Sequence, residues 1–209
     1  MSRRQINSRR LIYLSFVLAL VLLVYLFYAP SKQVGIKEVI DGDTIELESG
    51  ERVRYIGIDT PEKDQPFFGE ATRANRELLK KGKYSLEYDN DREDDWGRTL
   101  AYVWIDTLMV NAELVREGLA SVYLISPNFK HKEELIAFQN EARAKGSGIW
   151  SIPVSPEKYY VASRHSRGLV FHRPGCQWAK KIAKDNLIRF ETKDQALDLG
   201  YSPCRTCKP

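Results

Sequence analysis

The chain has 209 residues, with 32 Lys and Arg against 28 Asp and Glu and a formal net charge of +4. At 43% hydrophobic and 29% charged, with 13 Gly and 9 Pro, it is neither disordered nor collagen-like, and its length suits one medium domain plus something small. Three cysteines cannot build a disulfide framework without leaving one unpaired.

Residues 1–10 hold Arg3, Arg4, Arg9 and Arg10 and no acid. Leu11 to Ala29 (LIYLSFVLALVLLVYLFYA) then runs without a charge until Pro30 and Lys32 end it. A helix rising about 1.5 Å per residue nearly crosses a hydrocarbon core about 30 Å thick with such a run. The expectation is a transmembrane signal anchor at 11–29, with the basic segment 1–10 in the cytoplasm and the rest of the chain outside a cell membrane spanned once. Secretion after signal cleavage is the competing reading. Against it, the apolar run is long for a signal peptide, and Phe27-Tyr28-Ala29 lacks a small residue where cleavage needs one. Downstream, residues 31–156 carry 17 basic and 23 acidic residues, net −6, whereas 157–209 carry 11 and 5, net +6. That shift marks a domain boundary, and Ile152-Pro153-Val154-Ser155-Pro156 is the natural linker, placed at 152–157.

From Val34 the pattern alternates as strands: VGIKEVI, DTIELES, a Ser49-Gly50 turn, and ERVRYIGI. A helix is expected from about Phe67 to Lys81, stopped by Gly82. Strands YSLEYD and RTLAYVWI follow, separated by the acidic loop NDREDDWG, with a hairpin turn at Asp106-Thr107. A short helix is expected with Asn111 as its N-cap, ending at Gly118, and a last one from about Lys130 to Lys145, closed by Gly146. Five short strands with interleaved helices fit a mainly β, α+β fold built on a small OB-type barrel better than a sandwich.

Three clusters in this region carry potential chemistry. They are Asp41-Gly42-Asp43-Thr44, Arg54 with Asp59-Thr60-Pro61-Glu62, and Asp94-Asp95-Trp96-Gly97-Arg98. Singly, each reads as a turn, a helix cap or a solvated arginine. Together they list the parts for phosphodiester hydrolysis. Asp43 and Asp59 offer hard oxygen ligands suited to Ca²⁺, and two arginines can brace a five-coordinate phosphorus in the transition state. Glu62 stands where a carboxylate can orient or deprotonate a water.

The order and spacing of VIDGDTIEL, VRYIGIDTPE, DDWGRTLAYVW, MVNAELVREGLA and KGSGIWS resemble the thermonuclease, or staphylococcal nuclease-like, family over roughly residues 34–151. The resemblance implies a domain at 31–151 with the five-stranded barrel of that family. It further implies an endonuclease acting on DNA and RNA, dependent on calcium and leaving 3′-phosphate ends. Carried over by position, Asp43, Asp59 and the Thr60 carbonyl are expected to hold the calcium, with Asp41 accessory. Arg54 and Arg98 are expected to bind phosphate, and Glu62 to activate water. Trp96 stands where the family has a tyrosine beside the nucleotide, and Tyr123 falls in the region that contacts the scissile nucleotide. The secreted members are strongly basic, whereas this domain is acidic. The alternative is a membrane-tethered module that binds nucleic acid or protein without cutting. The acidic charge favours it, and the complete set of catalytic residue types opposes it.

Residues 158–209 are few for a self-sufficient core, yet they hold every cysteine of the chain. His172-x₃-Cys176 and Cys204-x₂-Cys207 are two close ligand pairs of the kind a tetrahedral zinc site uses. A Cys204–Cys207 disulfide is the competing reading outside the cell. YVASRHSRGLVFHRPGCQWAKKI and GYSPCRTCKP resemble the small zinc-binding domain of the Ada DNA-repair protein family. That family uses four cysteines, and here His172 replaces one of them, which implies a structural zinc rather than methyl transfer. A short helix over Asp194–Gly200 is expected beside a strand LIRFET. Arg164, Arg167, Arg173, Lys180, Lys181 and Lys184, with Trp178 and Phe171 among them, form a candidate nucleic-acid platform by charge neutralisation and stacking. A solvated basic face and anionic lipid are the other partners for that charge.

Overall fold

The computed structural model describes residues 35–209, so the basic N-terminus and the apolar run at 11–29 lie outside the described residues. Among the described residues no helix is long and apolar enough to cross a membrane. Strands β1 (Ile36–Val39), β2 (Thr44–Leu47) and β3 (Arg52–Tyr55) form an antiparallel meander. The β2–β3 connection turns at Gly50, whose φ of 85° only glycine adopts without strain. β3 then pairs in parallel with β6 (Thr99–Ile105), which also carries β5 (Tyr84–Glu87) and the short hairpin strand β7 (Leu108–Met109).

The expected continuous strand through Ile58 is broken. At Gly57 the chain takes φ 80°, and a Cβ there would lie 2.6 Å from Leu135 Cδ1. The residues beyond it, β4 (Gly57–Asp59), leave the main sheet and pair with β8 (Ser121–Tyr123) in a separate ribbon. The architecture is a mixed six-stranded sheet plus a two-stranded ribbon, a half-barrel of α+β type consistent with the expected OB-like fold.

Helices α1 (Phe68–Leu79), α2 (Val110–Arg116) and α3 (Lys132–Lys145) cover this sheet. Ile45, Val53, Tyr55, Tyr102, Leu114 and Leu135 lie at the centre of the core, each fully buried. Asn111, expected to cap α2, sits inside it instead. Its side chain accepts from the Val103 N–H at 2.9 Å and donates to the Ile56 carbonyl at 2.8 Å. A buried amide that supplies one acceptor and one donor satisfies two backbone groups in the core.

Residues beyond 157 build a second, four-stranded sheet in the order β11 (Leu187–Phe190), β9 (Tyr160–Ser163), β10 (Val170–His172), β12 (Ser202–Pro203). Helix α4 (Lys193–Asp198) starts with a capping box, in which Thr192 and Gln195 satisfy each other's backbone N–H. This part packs against the first. The Leu169 N–H donates to the Leu124 carbonyl at 2.9 Å, the Ser126 N–H to the Arg167 carbonyl at 2.8 Å, and Arg143 on α3 pairs with Asp194 and Asp198 of α4. A Cβ at Gly200 would meet both Ile136 and Leu124 at 2.9 Å, so the second sheet sits directly on the first core. Phe171, expected on a stacking platform, is fully buried edge-on to Tyr160 at 5.6 Å and belongs to the core of this second part. Arg173 is tied to Glu157 at 2.7 Å and to the Cys207 carbonyl at 3.0 Å, and Arg167 to Asp91 at 2.8 Å. Both arginines are engaged in ion pairs, while Trp178, with Lys181 over its ring at 4.4 Å, remains outward.

One ionic knot holds the barrel side of α3. Glu87 accepts from Trp104 Nε1 at 2.7 Å and contacts His131 at 2.9 Å and Lys130. Burial alone raises its pKa, yet the hydrogen bonds from Lys130, His131 and Trp104 hold it well down, from 4.5 to about 2. A folded-state pKa below the unfolded one gives stability that is present above the unfolded value and lost as pH falls through the folded one. The melting temperature is therefore expected to fall between about pH 4.5 and 2. Glu87→Gln is expected to flatten that fall in pH-dependent thermal melts.

Candidate active site and metal centre

The tight turn before β2 places Asp41 and Asp43 beside the end of β4. Gly42 lets that turn lie against Thr60 and α1, since a Cβ would meet Thr60 Cγ2 at 2.7 Å and Ala71 Cβ at 2.8 Å. Asp43 is buried, and its Oδ2 accepts from the Thr60 N–H at 2.8 Å and the Thr60 hydroxyl at 2.9 Å. Asp41 accepts from the Asp43 N–H at 2.9 Å. Burial and the neighbouring Asp43 charge both push the Asp41 carboxyl up, the mark of acidic groups crowded together.

Arg54 on β3 faces this group from the sheet, opposite its core-facing neighbours Val53 and Tyr55. Its Nε lies 3.1 Å from Asp43 Oδ1 and its Nη2 3.2 Å from Asp59 Oδ1, and Nη2 also donates to the Ile58 carbonyl at 2.8 Å. The guanidinium is buried and fixed before any substrate arrives. Glu62 follows on the loop after β4 with its side chain 59% exposed. Tyr123 closes β8 across from Gly57.

Asn75 was not legible as a site residue. It is fully buried on the inner face of α1, accepts from the Tyr55 hydroxyl at 2.8 Å and donates to the Asp41 carbonyl at 3.0 Å, so it anchors the acidic turn from behind. Its one sequence signal is a polar residue within the helical spacing of Ala71 and Leu78.

Asp41, Asp43, Arg54, Asp59 and Thr60 thus meet, with Glu62 and Tyr123 at their edge. Arg98 is placed differently. It stands on the turn before β6, with its Nε donating to Asp94 Oδ2 at 2.7 Å and its guanidinium 5.4 Å from the Trp96 ring centre. Trp96 itself is 79% exposed. Burial raises the Asp94 carboxyl, but the bonds from Arg98 and Trp96 outweigh it and hold its pKa low. The turn's link to the centre runs through β6, where Leu100 is in register with Arg54. The carboxylates of Asp41, Asp43 and Asp59 and the Thr60 carbonyl are hard oxygen donors, the ligand type Ca²⁺ takes, and Arg54 bridges two of them, Asp43 and Asp59.

In the second part, the ligand atoms of His172, Cys176, Cys204 and Cys207 all lie within 4.8 Å of one another. A tetrahedron with bonds of about 2.3 Å has edges of about 3.8 Å, so the cluster matches a four-ligand zinc-type site. All three cysteines are free thiols, and the Cys204–Cys207 disulfide does not form. Burial lowers the His172 pKa, which favours the neutral imidazole that a metal takes as ligand. The Arg173 N–H lies 3.3 Å from Cys207 Sγ, an outer bond of the kind that orients metal thiolates.

Comparison with known proteins accounts for both parts. The family described as staphylococcal nuclease homologue matches residues 52–152. The metal binding domain of Ada matches residues 154–209. The chain is 41% identical over 124 residues to the thermonuclease of Staphylococcus intermedius, covering 55% of this chain and 74% of that protein. It is 40% identical over 122 residues to the thermonuclease of Staphylococcus hyicus, covering 54% and 72%. It is 38% identical over 148 residues to Endonuclease YncB of Bacillus subtilis (strain 168), covering 66% and 68%.

Proposed function

The chain belongs to the staphylococcal nuclease family, and on that premise we propose that it is a calcium-dependent endonuclease that cuts DNA and RNA and leaves 3′-phosphate ends. The nuclease activity itself follows from family membership and homologues at 38–41% identity. The observation that carries the finer reading is the buried guanidinium of Arg54 held between two carboxylates, 3.1 Å from Asp43 and 3.2 Å from Asp59. Such a frame presents fixed positive charge where a phosphate gains charge in the transition state. Asp43, Asp59 and the Thr60 carbonyl would hold Ca²⁺, with Asp41 accessory, and the ion would supply Lewis-acid polarisation of the phosphate oxygen. Glu62, exposed to solvent, would accept a proton from the attacking water. Arg98 extends the phosphate contacts from the neighbouring turn, with Trp96 as a face for the adjoining base and Tyr123 beside the scissile nucleotide. Zinc held by His172, Cys176, Cys204 and Cys207 is structural. The basic then apolar residues 1–29 support a reading in which the nuclease, residues 31–151, is anchored in a membrane and faces outward, with the zinc module 158–209 behind it.

The test is cleavage of labelled single-stranded DNA by the full-length chain in Ca²⁺ and again with excess calcium chelator. Cutting that stops on chelation and yields 3′-phosphate ends is the expected result. Binding without cutting in both conditions would overturn it.

A further inference from the structure

The metal module reaches into the nuclease centre. Between the paired ligands Cys204 and Cys207, Arg205 points toward the β4–β8 ribbon. Its Nε donates to Asp59 Oδ2 at 3.0 Å, its Nη2 bonds Asp59 Oδ1, and its Nη1 lies 3.2 Å from Glu62 Oε1. The guanidinium carbon stands 5.6 Å from the centre of the Tyr123 ring. Three residues assigned to metal, water and substrate therefore converge on one cation that lies 146 positions away from Asp59 in the chain. Arg54 shares the same Asp59 oxygen, so two guanidinia from different modules flank one carboxylate. A cleft of about 500 Å³ opens beside them, lined by Asp59 and Thr60 from the nuclease part and by Lys193, Arg205 and Lys208 from the metal module.

Resting on the nuclease reading, we propose that Arg205 is a third phosphate-binding guanidinium of the active centre, delivered by the zinc module. Its planar fork suits a phosphate as well as a carboxylate. When Asp59 serves as a metal ligand, Arg205 gives up that carboxylate and turns its donors to the substrate phosphate beside Glu62. Lys193 and Lys208 carry the charge along the cleft, which a side chain acting only as a plug over Asp59 would not require. The arrangement also answers the charge of the nuclease part. A body of net −6 lacks the phosphate-neutralising charge that nucleic-acid affinity draws on, and the +6 module brings it to the reacting bond.

The experiment compares the full-length chain with Arg205→Ala and Arg205→Lys in saturating Ca²⁺. Steady-state kinetics on single-stranded DNA give kcat and KM. Calorimetry gives the affinity for thymidine 3′-phosphate, a product with no phosphodiester bond left to cut, and separately for Ca²⁺. One lost charge-assisted contact is expected to raise KM and the product Kd of Arg205→Ala about tenfold to a hundredfold, with a smaller change in kcat and partial recovery in Arg205→Lys. Unchanged product affinity overturns the proposal. If turnover rises and Ca²⁺ binds more tightly in that case, Arg205 is a plug on Asp59, and if nothing moves it is an ion pair only. A wild-type chain that fails to cut would sink the nuclease reading, while the product affinities would still decide whether Arg205 binds phosphate.

Discussion

Glu62→Gln is expected to slow cleavage of single-stranded DNA by about 10²–10⁴-fold, the usual contribution of a positioned general base, and to leave the melting temperature unchanged. The separation is possible because the Glu62 side chain is 59% exposed, so its loss opens no cavity. Arg54→Ala behaves differently. Removing a transition-state guanidinium costs about 10³-fold or more in rate. Because Arg54 is buried between Asp43 and Asp59, its loss also leaves the buried Asp43 without its cationic partner, while Asp59 keeps Arg205. Breaking a buried pair from one side costs about 3–5 kcal/mol of stability. The two variants are measured by initial rates in Ca²⁺ and by thermal melts of the same preparations. Full turnover by Glu62→Gln would remove it from the chemistry, and an unshifted melt for Arg54→Ala would show that the frame around Asp43 does not depend on it.

Removing the metal from the second part is expected to loosen that part while the first stays folded. The module beyond residue 157 has two small cores, one around Tyr160, Phe171 and Leu197 and one in which Cys176 and Cys204 pack with Val161 and Ala179. The four ligands tie β10, the turn at Cys176 and the C-terminal segment to a single point. Structural zinc in small peptides contributes about 10–16 kcal/mol of binding free energy to folding, far more than cores this small supply. The first part keeps its own larger core around Ile45, Val53, Tyr102 and Leu114. A zinc-selective chelator in the presence of Ca²⁺, or Cys176→Ser, is expected to abolish hydrogen-exchange protection in β9 and β11. Protection in β2, β3 and β6 should persist. Retained protection in β9 and β11 after verified metal loss would show that packing alone holds the module. Because Cys176 is remote in sequence from Cys204 and Cys207, a higher KM in Cys176→Ser would also report that the metal centre holds Arg205 in place.

The turns and helix stops were legible because they depend on a few adjacent residues. Gly50 and Gly146 take positive φ where the pattern demanded a turn or an end, and Asp106-Thr107 closes the β6–β7 hairpin. The four-ligand centre was legible for a similar reason, since His172 with Cys176 and Cys204 with Cys207 are each brought together by local backbone. Where a residue's role depended on what packs against it, local pattern misled. Asn111 looks like a cap and is a buried bridge between Val103 and Ile56. Phe171 looks like a stacking face amid basic residues and is core.

By itself the sequence determined the chemistry available to this protein: an acidic turn, a strand arginine, a following carboxylate and a Cys/His metal site, each specified by neighbours in the chain. Tertiary structure alone decided how these parts meet. At Gly57, where φ is 80° and Leu135 leaves no room for a Cβ, β4 departs from the main sheet and carries Asp59 with it. Gly200 against Leu124 and Ile136 seats the metal module on the nuclease core, which brings Arg205 to Asp59. Contacts across such separations are set by how two surfaces pack, and packing has no periodicity that a linear pattern can carry.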